Sequence, residues 1–225
     1  MENELNGAEN DKENNRTKGL ERVNGFSDAV FAVAITLLIL GIDVPVVKEV
    51  SELPSELTSL WPKFLAFIIS FALIGFFWVA HHLMFSYLKR YSPGLLWLNL
   101  LFLMFIVFLP FSTALMSEYD TSKLAVIFYD ANMALASLSL FLLWWYISRG
   151  NRLVKEDLDP ATRKHLMTVY LNMSIIFLIC MGLAAWNISA SQYAYLILIP
   201  NSMLLEHIHK KNRTKLSGEG GRSGD

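Results

Sequence analysis

Apolar positions along the chain come in six blocks, separated by short charged clusters. The blocks cover about 24–43, 63–86, 93–116, 123–147, 166–188 and 191–208. A membrane-spanning helix needs about 20 mostly apolar residues. Backbone groups in lipid must be satisfied within their own segment, and none of the blocks alternates strictly as a barrel strand would. Each block therefore predicts a helix. The sixth is short and carries Pro200-Asn201, which predicts a kink or a partly exposed end there. The expected fold class is an all-α integral membrane protein with six transmembrane helices per subunit.

The flanks differ from the blocks. Residues 1–19 are polar and almost free of large apolar side chains, which predicts a disordered lead-in. Residues 20–209 form the six-helix unit, and 210–225 read as a basic, then Gly/Ser-rich flexible tail. Composition strengthens the membrane reading, since 54% of residues are hydrophobic and only 17% charged. Soluble domains carry roughly a quarter charged residues. A net charge of −1 argues against nucleic acid as a partner. Cys180 is the single cysteine, so no intrachain disulfide and no CxxC site exists, and packing is its expected role.

Orientation follows from lysine and arginine in the connections. Arg16, Lys18 and Arg22 precede the first span, Lys89 and Arg90 follow the second, and Arg149, Arg152, Lys155, Arg163 and Lys164 follow the fourth. Lys210, Lys211, Arg213 and Lys215 follow the sixth. The opposite connections are poor in basic residues and hold Asp43, Glu49, Glu52 and Glu56. Both termini are therefore expected in the cytoplasm.

Polar groups inside the spans are costly, which makes them candidates for function. Asp28 lies six residues beyond Arg22, about 9 Å along a helix axis, and so near the cytoplasmic interface. One reading makes Asn24 or Ser27 a helix cap and Asp28 a favourable charge at the helix start. The other is an inter-helix network, for which His81, His82 and Asn99 (beside Trp97) lie at similar depth. Adjacent histidines point about 100° apart on a helix, so at most one shares a given contact. For Asp130, Asn132, Asn172 and Asn187 we expect local hydrogen bonds or interfacial positions rather than ion sites. Ala29, Val33, Thr36 (or Leu37) and Leu40 form one stripe on the first span. Periodicity leaves open whether that stripe packs in a core or lines a pore, where apolar rings gate by dewetting.

The stretch Arg22-x-x-x-Phe26-Ser27-Asp28-Ala29, continuing VFAVAITLLIL, closely resembles the first-helix signature of bacterial relatives of transmembrane protein 175, the endolysosomal potassium channel. The resemblance extends through the histidine pair and the Trp/Asn cluster, over about residues 20–210. It implies a potassium-selective or potassium-preferring cation channel in the cell membrane. It also implies a homotetramer in which four first helices surround the ion path. No cofactor is implied beyond the permeant potassium ion, and no enzymatic activity. The constriction maps onto Val33, followed by Leu37 and Leu40, with Thr36 as the hydroxyl position. Arg22, Phe26, Ser27 and Asp28, with a span-two histidine (His81 or His82) and Asn99, would hold the helices together. Val33 is smaller than the residue often found at that ring, which implies a looser seal. As in the family, no TVGYG filter is present.

Two other classes compete. A membrane metalloenzyme would use His81-His82, His165 and the EHIH run at 206–209, but such di-iron sites need about eight ligands and the chain has five histidines and no HExxH. An ion-coupled secondary transporter would show broken helices in paired halves, whereas only the sixth block is interrupted.

Overall fold

The computed structural model describes the backbone over residues 2–149, 153–155, 158–188 and 190–191, with side chains from residue 17 onward. Over these residues the chain is helical: α1 (Glu2–Leu37), α2 (Leu53–Ser59), α3 (Trp61–Ser86), α4 (Pro93–Glu118), α5 (Lys123–Ser148) and α6 (Pro160–Trp186). Among the described residues five segments are long and apolar enough to cross a membrane: Thr17–Gly41 and helices α3, α4, α5 and α6. These are the first five expected spans. The sixth, at 191–208, lies almost wholly outside the described residues, as does the tail.

One boundary is corrected. Helical backbone runs back to Glu2, well before the start of the first expected span at about residue 24. The lead-in has no proline, and it sets Glu9 and Glu13 three residues before Lys12 and Arg16, a spacing that supports a helix. The cap reading of Asn24 and Ser27 falls with that boundary, because both sit in mid-helix.

Sequence signals set the other ends. Ser92 caps α4, its Oγ accepting from Leu95 N at 3.3 Å, and Pro93 opens the helix. Asp159 caps α6 in the same manner, with Pro160 next. After Leu37 the first span tightens into a 3-10 turn, Leu38–Gly41, whose Gly41 lies against Ala114 of α4. The connection from residue 42 to 60 lies at the far end of the bundle, with Val44 and Val46 exposed.

α5 is the most buried span and packs between α4 and α6, while α1 packs on α3 and α4. The core runs through all five, from Phe31 and Phe77 to Phe102, Ile106, Met133, Trp144 and Phe177. At the basic end the α3–α4 and α5–α6 connections join in an antiparallel bridge, Leu88 to Val154. Lys89 N donates to Leu153 O and Lys155 N to Tyr87 O, both at 2.9 Å.

Candidate functional site

α1 has two faces. Ser27, Phe31, Ala34 and Leu38 recur at spacings of four, three and four, and all are buried against α3 and α4. The expected stripe lies on the other side: Val33 is 53% exposed, Leu37 38% and Leu40 72%, with Ala29 and Thr36 also exposed. Core packing within the subunit is therefore not the role of this stripe. Thr36 Oγ1 donates to Val33 O at 2.8 Å, so the hydroxyl oxygen keeps its lone pairs on the open side.

Behind that face a directional chain of hydrogen bonds crosses three helices. Asn99 Nδ2 donates to Ser27 Oγ at 2.9 Å, and Ser27 Oγ donates to Val23 O at 2.9 Å. The amide oxygen is then free to accept from His81 Nε2, at 2.8 Å. All three side chains are buried, with His81 and Ser27 fully so. Phe85 stacks on the His81 ring at 4.1 Å and Phe102 at 5.6 Å, which fixes the imidazole's rotation. Of the two histidines, His81 takes the contact.

Asp28 does not join this chain. Its Oδ1 accepts from Trp78 Nε1 at 2.9 Å and its Oδ2 from Asn24 Nδ2 at 3.5 Å. His82 is exposed and its ring lies against Trp78, tilted by 33° with centroids 5.7 Å apart. The single network expected from depth is thus two: a buried Ser27–Asn99–His81 chain and a half-exposed Asn24–Asp28–Trp78 pairing. Arg22 and Phe26 belong to neither in the subunit. Both are exposed and line a crevice of about 390 Å³ with Tyr91, Leu96 and Leu100. Trp78 was missed because a tryptophan in an apolar run reads as packing, and its acceptor lies 50 residues away.

A second polar cluster sits deeper. Thr113 Oγ1 donates to Ser70 Oγ at 2.9 Å, and Ser70 Oγ lies 3.1 Å from Tyr129 Oη. Asn132 Nδ2 reaches Ser112 Oγ at 3.2 Å and Phe105 O at 3.3 Å, beside the Pro110 interruption of α4. Asp130 accepts from Ser191 Oγ at 3.0 Å. These bonds join distant elements, where local ones were expected, because short polar side chains in lipid find their partners on the next helix. Asn187 does bond locally, accepting from Ala190 N at 3.4 Å. Cys180 is fully buried. Among the described residues no three His, Cys, Asp or Glu side chains come together as metal ligands. The EHIH run lies outside them.

The family described as "Endosomal/lysosomal potassium channel TMEM175" matches residues 22–110. A potassium channel of Streptomyces collinus is 42% identical over 147 residues, which are 63% of this chain and 71% of the relative. The chain belongs to the TMEM175 family. A potassium channel of Chamaesiphon minutus is 41% identical over 143 residues, 61% of this chain and 70% of its own length. The crystal structure of a lysosomal potassium-selective channel TMEM175 homolog, also from Chamaesiphon minutus, superposes with a TM-score of 0.75 at 32% identity. That match covers 83% of this chain and 97% of the other. The stretch matching the TMEM175 family holds α1 from Arg22 onward, α3 and the first part of α4, which carry the exposed stripe and both networks. It is a family of channels, not of enzymes.

Proposed function

We propose that this chain is a potassium-preferring cation channel of the cell membrane, built from four copies with six spans each and both termini in the cytoplasm. Four copies of α1 face the central axis, and Val33, Leu37 and Leu40 form apolar rings with Thr36 among them. The observation that carries this reading is the split of α1: a buried side committed to α3 and α4, and an opposite exposed stripe with one inward-donating hydroxyl. The two polar networks hold α1 against α3 and α4 and keep that stripe turned to the axis.

Flux is passive. A cation entering the rings loses part of its hydration, and potassium gives up water more readily than sodium, so a narrow, weakly coordinating path favours potassium. Thr36 oxygens replace part of the lost water. Asp43, Glu49, Glu52 and Glu56 on the outer connection raise the local cation concentration, screened over about 8 Å at physiological salt. The small Val33 ring makes the apolar barrier to wetting lower than a larger aliphatic would.

The test is ion flux from liposomes carrying the full-length protein under potassium or sodium gradients. Wild type should pass potassium faster than sodium. Thr36→Ala should narrow that preference several-fold, and Val33→Ala should raise flux of both ions. Absence of flux, or saturable flux coupled to a second gradient, would overturn the channel reading. Unchanged flux in both variants would move the pore away from α1.

A further inference from the structure

The outer end of the first span is the 3-10 turn Leu38–Gly41, which packs on α3 and α4. With three residues per turn, Leu38 and Gly41 lie one above the other on the same side. Leu38 is buried and Gly41 lies against Ala114, so that side faces the bundle. Leu40 stands about 120° further round. It is the most exposed member of the stripe. A Cβ on Gly41 would lie 3.2 Å from Ala114 Cβ, inside the about 3.5–4.0 Å at which carbon atoms settle. The backbone at Gly41 is outside the left-handed region, so glycine serves here for space and not for dihedral freedom.

Of the two partners in this contact, α4 is the pinned one. Ser112 and Thr113, directly before Ala114, are buried and bonded to Asn132 of α5 and Ser70 of α3. Glu118, four residues beyond Ala114, pairs with Lys63 of α3. The turn is held less firmly. Its hydrogen-bond geometry is poorer than that of the α-helix before it, and extended backbone follows at Ile42. Crowding between Gly41 and Ala114 therefore displaces the turn and leaves α4 in place.

We propose that Gly41 is a positioning residue for ion passage: by letting the turn close on Ala114, it sets how far Leu40 stands from the central axis. This rests on the four-copy reading of α1 given above. Bulk added at the contact pushes the turn off α4 and carries Leu40 toward its open side. The four Leu40 side chains then draw together, and the apolar barrier to wetting rises.

The experiment uses the full-length protein in liposomes, with Leu40→Cys as the reference, and follows the disulfide formed between copies under a mild oxidant. That bond needs Cβ atoms about 3.5–4.5 Å apart, so its rate reads the approach of neighbouring turns. The chain without Leu40→Cys is the blank, because its one cysteine, Cys180, is fully buried. Gly41→Ala should speed the disulfide several-fold, and Ala114→Val, which adds bulk from the opposite side, should do the same. Gly41→Ala with Ala114→Gly takes that bulk away again and should return the rate to the reference. Potassium efflux with Leu40 intact should fall and recover across the same backgrounds. An unchanged rate in Gly41→Ala and Ala114→Val would overturn the proposal. So would a double variant as fast as Gly41→Ala, the result expected if the changes merely loosen the bundle. No disulfide in any background would overturn the four-copy reading, and the proposal with it, which separates the two failures. If Gly41→Ala does not assemble, Ala114→Val against Ala114→Gly decides, with the rate rising in the first and not in the second.

Discussion

Replacing Asn99 by leucine removes the middle of the Ser27–Asn99–His81 chain while nearly keeping its volume. Asn99 is 2% exposed and makes two side-chain bonds, to Ser27 Oγ and His81 Nε2. Inter-helix hydrogen bonds in membranes average about 0.6 kcal/mol, with a maximum near 1.7. Ser27 keeps its bond to Val23 O, so its loss is small. The His81 Nε2–H, fully buried, is left with no acceptor, a penalty of about 1–3 kcal/mol. Asn99→Leu should therefore cost about 2–3 kcal/mol, most of it the stranded imidazole. Replacing both partners by apolar groups of similar shape should be nearly neutral. His81 already sits among Phe31, Phe85 and Phe102, so phenylalanine fits there. The double variant His81→Phe with Asn99→Leu should thus recover most of the loss. Equilibrium unfolding in mixed detergent micelles measures all four corners of this cycle. Strict additivity, with the double variant as unstable as the sum of the singles, would refute the coupling. An Asn99→Leu cost below about 0.5 kcal/mol would refute the stranded-donor argument outright.

Three further outcomes follow from single contacts. Trp78→Phe removes the 2.9 Å donor to Asp28 but keeps an aromatic ring against His82, and should cost about 1–2 kcal/mol in the same unfolding assay, with the content of the proposed tetramer on size exclusion falling in parallel. Asn132→Leu, at a side chain 4% exposed that bonds Ser112 and Phe105 O, should cost about 1–2 kcal/mol and leave the potassium-to-sodium flux ratio unchanged. Glu118→Gln breaks the 2.5 Å ion pair with Lys63 at the outer end, but Glu118 is 57% exposed, so the unfolding free energy should fall by no more than about 1 kcal/mol.

The spans were legible because lipid demands about 20 apolar residues in a row, and length survives any uncertainty in facing. The two sides of α1 were only half legible. Periodicity assembled Val33, Thr36 and Leu40 into a stripe, but a stripe looks the same whether it meets its own subunit or a neighbour. The buried partners Phe31, Ala34 and Leu38 decide that, and they are as apolar as the exposed set. Depth brought Asn99 and a histidine to the level of Ser27, yet only the packing of α3 selects His81 over its neighbour. Asp28 turned to Trp78 because the indole N–H needs an acceptor and the carboxylate is the one within reach. The bridge between residues 88 and 154 left no sequence signal, since one pair of residues is too short for a strand pattern.

Why a polar chain should sit behind the exposed apolar face of α1 follows from the solvent. In lipid, no hydrophobic drive prefers one side of α1 over another, since leucine against lipid and leucine against leucine cost nearly the same. Rotation of the helix about its axis must then be set by directional bonds. At 3.6 residues per turn, Thr36 stands nine residues from Ser27, about 180° around the axis. Phe31, Ala34 and Leu38 stay within roughly 40° of Ser27. The Asn99–Ser27 bond therefore fixes the side of α1 opposite the one that carries Thr36, with the whole thickness of the helix between them. Viewed down the helix axis, the network and the proposed selectivity position lie on opposite sides, about 13.5 Å apart in height. Ser27→Ala should accordingly change the potassium-to-sodium flux ratio without touching any proposed pore residue, whereas Asn132→Leu, also buried but bonded to α4 and not to α1, should leave it as it was. Equal effects of the two changes on that ratio would show that general bundle stability, and not the rotation of α1, governs selectivity.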